Sequence, residues 1–339
     1  MKVGLAAPLV EGFPRQTMLQ LIGRADELGY ETIWLSEAYG ADAFTRLAEL
    51  AARTTRIRLG TAIANVFARS PAMLAQTAAS LDEISGGRVK LGLGSSGPQV
   101  VEGWHGVSFE HSLQRLRETV GVARMLWGGQ RLRYQGSVFQ LDGGLKLMQP
   151  PLRARIPIYL ASLTPPGMSL AGEVADGWLP VFFSPSHYAT VLAPHLLRGL
   201  ELSGRARSDI QVCVLQPIVV TDRIEVGWDL ARPQLALYLG GMGSHERNYY
   251  NRLFCAYGFE SEARAVQDHF LAGRREAAVA AVTDEMVDLV TIVGPLPECR
   301  RRLDELERLG VDEVALQIDF GQRDAKAALE VLEALAPAA

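Results

Sequence analysis

A short run of small residues at the end of an apolar segment is the part of this chain best suited to bind a ligand. Residues 89–94 have the pattern of a buried strand, which stops at the turn 95–98 (Ser-Ser-Gly-Pro). Such a strand end exposes backbone N–H groups and hydroxyls and has no large side chain to exclude a planar ligand. Trp104 and His105 follow, and histidine is the residue type best matched to proton transfer near neutral pH. The stretch therefore predicts a ligand site. For His105, packing in the core stays open as the alternative to a role in that site.

Polar residues also stand at the ends of three other predicted strands. Glu37 follows the second strand, where a carboxylate either caps a helix or faces a ligand. Asn65 follows the third strand. Residues 161–164 end the fifth strand and precede Pro165. A Ser/Thr cap with proline in the first helical turn predicts N–H groups free to bind a phosphate, although an ordinary capped helix has the same pattern.

Two known motif classes were compared with these segments. Gly92, Gly94 and Gly97 formally match the GxGxxG pattern of dinucleotide-binding folds. That pattern requires a helix to open at the third glycine, whereas here Pro98 follows and no helical pattern is predicted before about residue 111. A plain tight turn remains an alternative. The six histidines form no HxxxH or HExxH motif, so no metal site is predicted. The sequence also contains no P-loop and no GxSxG nucleophile motif.

The order of apolar segments predicts the elements that position these residues. Apolar residues recur at helical spacing in segments such as 15–29, and short buried strands alternate with them. This alternation indicates right-handed βαβ units, and eight strands favour an α/β fold of the (β/α)8 TIM-barrel type over an open sheet. The predicted strands are 3–9, 32–36, 57–64, 89–94, 156–161, 177–183, 212–220 and 313–318. The predicted helices are 15–29, 42–54, the segment from Pro71 to Gly86, 110–128, 295–309 and 324–336.

The chain is predicted to form one TIM-barrel domain over residues 1–339, with two insertions at the C-terminal face of the barrel. The first, at about 129–145, contains a hairpin pattern at 131–141. The second, at about 222–294, carries helical patterns and a glycine-rich sequence at 240–243. We interpret the second insertion as a lid over the mouth of the barrel that sets specificity.

Composition excludes several classes of protein. The 339 residues are 48% hydrophobic and 21% charged, enough for a large core. The net charge of −4 argues against nucleic acid or an anionic membrane as the main partner. No segment reaches the ~18 apolar residues of a transmembrane helix, and the N-terminus lacks a signal-peptide pattern. The three cysteines, at 213, 255 and 299, form no CxxC, which predicts a reducing, cytoplasmic location.

Several long motifs, in this order along the chain, resemble the luciferase-like monooxygenase superfamily, and within it the coenzyme F420-dependent oxidoreductases. The strongest segments are WLSEAYGADA (34–43), residues 59–106, IPIYLAS (156–162), LAGEVADGWLPVFFSP (170–185), LYLGGMGS (237–244) and VGPLPECRRRL (293–303). The resemblance spans nearly the whole chain. It implies a TIM barrel with insertions, a small-molecule substrate, and a homodimer or higher homo-oligomer.

The resemblance also implies a site for the deazaflavin at the ends of strands two to four. A non-proline cis peptide bond in strand three, here Ala62–Ile63, would contact the ring, and Glu37 occupies the position of an acid found in many members. The cofactor ring edge and side chain would be held by Asn65, Ser96 and their neighbours Gly97 and Val100. The phosphate would be held by Ala161, Ser162, Leu163 and Thr164.

The sequence departs from the family pattern at three places. Ala38 stands where many members have histidine, and Gly97 or Pro98 stands where the glucose-6-phosphate-oxidising members have glutamate. Oxidation of a sugar phosphate by that mechanism is therefore not expected. Residues 164–166 (Thr-Pro-Pro) replace the Gly-Pro-Lys of close relatives, which leaves the phosphate contacts open.

The resemblance therefore implies hydride transfer between coenzyme F420 and a small organic substrate with a C=C, C=N or methylene-pterin-like bond. Such a reduction also needs a proton, for which Glu37 and His105 are the candidate catalytic residues and Tyr39 is a third donor. Two alternatives stay open. One is an FMN-dependent monooxygenase that uses reduced flavin and oxygen. The other is a non-enzymatic carrier of F420 or flavin.

Overall fold

The computed structural model describes residues 1–6, 13–318 and 324–337. The strands are β1 Lys2–Ala6, β2 Thr32–Leu35, β3 Arg58–Thr61, β4 Ala64–Asn65, β5 Val89–Gly94, β6 Tyr134–Gln135, β7 Gln140–Leu141, β8 Ile158–Leu160, β9 Gly177–Trp178, β10 Gln211–Val220, β11 Ile292–Gly294 and β12 Glu313–Gln317. The first seven helices are α1 Arg15–Leu28, α2 Ala43–Ala51, α3 Pro71–Ile84, α4 Pro98–Gly103, α5 Ser112–Trp127, α6 Pro165–Val174 and α7 Ala193–Leu202. The others are α8 Ile224–Gly241, α9 Tyr249–Ala256, α10 Glu260–Leu271, α11 Arg275–Ala280, α12 Asp284–Val290, α13 Leu296–Arg308 and α14 Ala325–Ala334.

Eight parallel strands close into a barrel, which confirms the predicted (β/α)8 TIM fold. The order β12-β1-β2-β3-β5-β8-β9-β10 returns to β12, because β10 pairs with both β9 and β12. β4 continues the third strand beyond Ala62–Ile63 and pairs with β5. β11 pairs with the second half of β10, so the predicted helical insertion 222–294 ends in a strand.

Local capping residues set the bounds of several helices. α1 ends at Gly29, whose φ of 84° is the left-handed conformation that glycine adopts readily. Asp42 accepts a hydrogen bond from the Thr45 N–H at the start of α2. Ser70 accepts from the Met73 N–H before the first residue of α3, Pro71. These signals lie within a few residues of each boundary, which is why the sequence predicted these helices well.

Four segments differ from the prediction. The third strand, predicted as 57–64, is split into β3 and β4. The sixth, predicted as 177–183, keeps only β9 and an isolated bridge from Val181 to Leu215. α4 begins directly at Pro98, where no helix was predicted before about residue 111, and α7 was not predicted. Residues 7–9 of the predicted first strand lie outside the described residues.

A buried ion pair fills the N-terminal half of the barrel interior. The Lys90 ammonium contacts the Glu313 carboxylate and lies 2.9 Å from Thr32 Oγ1. Glu313 also accepts from the Trp34 indole N–H at 3.0 Å. The Trp34 and Tyr159 rings meet edge to face at 5.1 Å between centroids. This layer satisfies both buried charges and supports the strands beneath the rim.

Both segments predicted as insertions contain secondary structure. β6 and β7 form an antiparallel hairpin, and the buried Glu118 carboxylate on α5 accepts from backbone N–H groups of the hairpin turn, including Phe139 at 2.7 Å. Helices α8–α12 lie in the segment 222–294, predicted as the second insertion. Among the described residues, no helix is long and apolar enough to cross a membrane.

Candidate active site

The third strand changes course at the C-terminal rim of the barrel. The Ala62–Ile63 peptide bond is cis, as the family resemblance implies. It separates β3 from β4, and beyond Gly60 the β3–β5 ladder is interrupted. The Thr61 hydroxyl replaces the missing ladder, since it donates to the Gly92 carbonyl at 2.7 Å and accepts from the Gly92 N–H at 3.0 Å. The rim at this point is therefore held by one side chain rather than by regular strand pairing.

The glycines of β5 have a different role from the one predicted. A Cβ atom on Gly92 would lie 1.9 Å from the Thr61 carbonyl oxygen, and one on Gly94 would lie 2.9 Å from Ile63 Cγ1. The space that the sequence analysis assigned to a planar ligand is, at these two positions, occupied by the displaced third strand. These glycines are needed for contact between chain segments, and ligand contact is left to neighbouring residues.

Asn65 is the residue of the predicted set with hydrogen-bonding capacity left over. Its side chain is buried, and its Oδ1 accepts from the Phe67 N–H at 2.9 Å. Its Nδ2 is also buried and has no hydrogen-bond partner in the described part of the chain. A buried amide N–H without a partner is unfavourable by about 1–3 kcal/mol, so the position fits a ligand that supplies an acceptor.

The upper layer of the barrel interior is apolar. Ala62, Ile63 and Ala161 are partly buried and pack, together with Leu215, against buried residues that include Leu179 and Trp34. These side chains present no charge to the rim. An apolar floor beside a few hydrogen-bonding groups suits a planar aromatic ring.

Residues 95–105 form a tight connection rather than an open turn. Ser96 has a φ of 58°, and Gly97 is the residue before α4. Val100 lies in α4, and the His105 N–H donates to its carbonyl at 3.1 Å. The His105 ring is half-buried and has no hydrogen bond within the described ranges, while Trp104 is mostly exposed. The structure therefore places His105 two residues beyond the end of α4 at Gly103 and five residues after Val100, the last residue of the predicted ring site on this segment.

Glu37 is bound by an arginine that the sequence analysis did not select. Both Glu37 carboxylate oxygens accept from Arg69, and the Nη2–Oε1 distance is 2.8 Å. Arg69 also contacts Asp42 and stacks over the Phe44 ring at 4.8 Å. The hydrogen bonding of the Arg69 guanidinium to the Glu37 carboxylate raises the pKa of Arg69 despite partial burial. Glu37 and Arg69 are 11% and 19% exposed, so this pair is shielded from water. Tyr39, by contrast, is 66% exposed.

The predicted phosphate site at 161–164 lacks the free helix N–H groups on which the prediction relied. Thr164 caps α6, and its Oγ1 accepts from the Gly167 N–H at 3.2 Å. Pro165 and Pro166 have no N–H to donate. The hydroxyls of Ser162 and Thr164 lie 3.4 Å apart, and they and the loop backbone are the groups that remain for an anion. Leu163 is partly buried against the main core.

The helical insertion contacts the rim on two sides. The Gln99 side chain, just inside α4, donates to the Gly241 carbonyl at the end of α8 at 3.1 Å. Phe182, after β9, packs edge to face on Tyr238 and Tyr250. The insertion therefore contacts segments that follow β5 and β9, the two neighbours of β8 in the barrel. This aromatic cluster was not predicted, because the sequence shows only that aromatic residues are frequent in the insertion and not that they pack together.

We also examined whether side chains that could bind a metal ion are grouped together. Within residues 1–6, 13–318 and 324–337, no three His, Cys, Asp or Glu side chains come together as metal ligands would.

Three comparisons with known proteins bear on the site. The family profile described as luciferase-like monooxygenase matches residues 2–313. A Mycobacterium tuberculosis protein with the provisional name of coenzyme F420-dependent oxidoreductase is 37% identical over 92% of this chain and 93% of its own length. The 5,10-methylenetetrahydromethanopterin reductase of Archaeoglobus fulgidus is 27% identical over 91% of each chain. The solved structure of coenzyme F420-dependent tetrahydromethanopterin reductase from Methanopyrus kandleri has the same fold, with a TM-score of 0.81 at 21% identity, covering 99% of this chain and 98% of that one.

Proposed function

The chain belongs to the luciferase-like monooxygenase family, and from that premise we propose that it is an F420-dependent oxidoreductase. In this proposal it transfers a hydride between coenzyme F420 and a small organic substrate with a C=C, C=N or methylene-pterin-like bond. The observation that carries the proposal is the 37% identity, across 92% of the chain, to a protein named for F420-dependent oxidoreduction.

Two features of the rim support the fit of a deazaflavin. The floor formed by Ala62, Ile63 and Ala161 is apolar, as the face of a tricyclic ring requires. The buried Nδ2 of Asn65 lacks an acceptor, and the ring carries carbonyl oxygens that can supply one. Both features concern binding and leave the identity of the substrate open.

The proposed contacts divide into a ring site and a phosphate site. Asn65, Ser96, Gly97 and Val100 would surround the edge and side chain of the ring. Ser162 and Thr164 would offer their hydroxyls to the phosphate, with the backbone of Ala161 and Leu163 beside them. Since α6 contributes no free N–H in its first three positions, we expect this phosphate contact to be weaker than a usual helix N-terminal site.

Reduced F420 supplies a hydride when it is bound, and the chain supplies orientation, water exclusion and a proton. Both carboxylate oxygens of Glu37 accept hydrogen bonds from Arg69. We therefore assign Glu37, with Arg69, to positioning the second strand end, and keep His105 as the proposed proton donor. Helices α8–α12 would cover the site as the predicted lid.

Cofactor titration tests the proposal without knowledge of the substrate. The purified protein is titrated with F420 and, separately, with FMN, and binding is followed by the fluorescence of each ligand. We expect F420 to bind in the micromolar range or tighter and FMN to bind more weakly. Tight FMN binding with oxygen-dependent oxidation of the reduced flavin would support the monooxygenase instead, and binding of neither would refute the proposal.

The variant Asn65→Asp locates the ring site. It keeps the oxygen that accepts from the Phe67 N–H and replaces the unpartnered Nδ2 with a second acceptor. We expect about tenfold or more weaker F420 binding, because two acceptors would then face each other. Unchanged affinity would place the ring elsewhere. Asn248→Asp in the insertion is unsuitable as a control because both Asn248 Nδ2 hydrogen bonds are structural. Gln20→Glu, which makes the same change from amide to carboxylate on the exposed surface of α1, is the preferred control.

A further inference from the structure

Arg115, which lies beside the ring site, makes no ion pair with any residue that the structure describes. Arg115 is in the first turn of α5, and helices that follow barrel strands begin at the C-terminal rim. Its guanidinium carbon lies 4.5 Å from the centroid of the Phe67 ring and 4.8 Å from that of Phe139. Phe67 follows β4, and its N–H donates to Asn65 Oδ1. Phe67 therefore contacts both residues: its ring lies against the Arg115 guanidinium, and its N–H binds the side chain of Asn65.

The charge of Arg115 has no direct partner. In the part of the chain that the structure describes, it makes no ion pair, and its Nε is buried without a hydrogen bond. Burial lowers the pKa of Arg115, and the charge of Glu118, one turn along α5, opposes this effect. Glu118 does not neutralise it by contact, because its two oxygens accept from the hairpin N–H groups of Ser137 at 2.8 Å and Phe139 at 2.7 Å. An arginine stays protonated even when partly buried, so a positive charge remains at this position.

The guanidinium of Arg115 lies over two aromatic rings, and no hydrogen bond to its side chain is found among the described residues. Stacked arginines keep their in-plane N–H groups available, and two parallel N–H groups match a carboxylate or a phosphate. The other arginine placed at this rim, Arg69, already binds Glu37 and Asp42. The first three positions of α6 offer no free N–H to an anion. An anionic ligand at the rim therefore finds its strongest unmet donor at Arg115.

We propose that Arg115 binds an anionic group, a phosphodiester or carboxylate, in the tail of the cofactor whose ring lies near Asn65. This inference rests on the proposed function. It adds a tail subsite on the β4–α5 side of the rim, in addition to the residues 161–164 predicted for the phosphate. A guanidinium there would distinguish cofactors by the charge of their tails and not by their rings.

The test compares F420 with FO, the deazaflavin that has the same ring and ribityl chain but no phosphate, lactate or glutamate. Both are titrated by fluorescence into the wild-type protein and the variant Arg115→Gln. We expect the wild type to bind F420 at least tenfold more tightly than FO. We expect the variant to lose about 10–100-fold in F420 affinity and less than threefold in FO affinity, the range for a charge-assisted hydrogen bond. Raising the salt concentration should weaken F420 binding in the wild type more than in the variant.

Matched variants separate this role from a structural one. Arg117→Gln, on the same helix, removes an arginine that pairs with Glu173 and should leave the affinities for F420 and FO unchanged. Arg115→Lys keeps the charge and should retain part of the preference for F420 over FO, which also serves if Arg115→Gln is poorly folded. Equal loss of F420 and FO affinity in Arg115→Gln would overturn the inference, and so would equal binding of F420 and FO by the wild type. If the wild type binds neither ligand, the proposed function fails and this inference fails with it.

Discussion

Replacing Gly92 with alanine should destabilise the barrel at the rim where the cofactor is proposed to bind. The new Cβ would lie 1.9 Å from the Thr61 carbonyl oxygen and 2.8 Å from Leu179 Cδ1. Leu179 can change rotamer, but the Thr61 carbonyl is backbone next to the Ala62–Ile63 bond. To make room, β5 must move away from the third strand, and the two hydrogen bonds between Thr61 and Gly92 must lengthen.

The size of the effect follows from these two consequences. Overpacking a core by a methyl group destabilises by about 1–3 kcal/mol, and sometimes more. Weakening two buried hydrogen bonds adds about 1 kcal/mol each. We therefore expect a loss of about 3–5 kcal/mol in the free energy of unfolding. For 339 residues the entropy of unfolding is about 0.7 kcal/mol per degree, so the melting temperature should fall by about 4–7 °C.

Urea unfolding, followed by circular dichroism and tryptophan fluorescence, measures this loss, with thermal unfolding as a second observable. Gly97→Ala is the matched control, because the nearest atom to its Cβ would be Gln99 Oε1 at 3.8 Å and the backbone φ is −115°. The control should stay within about 0.5 kcal/mol of wild type. If Gly92→Ala is as stable as the control, the rim backbone relaxes freely and the chain contact does not explain the glycine.

Three further predictions concern buried polar groups. Thr61→Val should lower the unfolding free energy by about 2 kcal/mol, since it leaves the Gly92 N–H and C=O without the hydroxyl, whereas Thr61→Ser should retain most of it in the same urea assay. Lys90→Met should destabilise by about 3–5 kcal/mol because it leaves the Glu313 carboxylate buried and unpaired, and adding Glu313→Leu should recover much of that loss in a double-mutant cycle. Burial acts to raise the pKa of Asp26, but hydrogen bonds from the backbone N–H groups of residues 55–57 lower it below its ordinary value. The stability from Asp26 is therefore fully present above the unfolded-state pKa of about 4 and is lost as pH falls through the folded-state pKa, so Asp26→Asn should be less stable at pH 7 and should lose less stability as the pH falls below about 4.

The sequence predicted the barrel because the signals for its elements are local. Helical periodicity, helix caps and short apolar runs can each be read within one element. Eight buried strands that alternate with helices favour one arrangement, a closed parallel barrel. The break in the third strand is different. Ala62 and Ile63 are as apolar as the residues of a continuous strand, so the alternation of side chains carries no sign of the cis bond between them. That bond was expected only because of the family resemblance. α4 was missed because six residues are too few to show a helical period.

The site was predicted less completely because its contacts join distant parts of the chain. Glu37 was selected correctly as a residue at a strand end, but Arg69, which binds it, is 32 residues further along. Arg115, Phe67 and Phe139 lie in three separate segments of the sequence and come into contact only in the fold. A single sequence gives no signal that links such positions. Only the structure could show that Arg69 is ion-paired, whereas Arg115 makes no ion pair among the described residues.

In the sequence, the small residues at the rim suggest a ligand site, but contacts within the fold explain many of them. Gly92 is required by Thr61, and Gly167 by Ser162, whose Oγ would lie 1.8 Å from a Cβ at that position. The groups that identify a ligand site are instead those whose hydrogen bonds or charges the folded chain leaves unmatched. Among the described residues, Asn65 Nδ2 and the guanidinium of Arg115 meet this criterion. Phe67 connects the two positions, since its N–H donates to Asn65 Oδ1 and its ring contacts Arg115. Substitutions at Gly92 should therefore change stability first, whereas substitutions at Asn65 and Arg115 should change cofactor affinity while leaving the barrel largely intact.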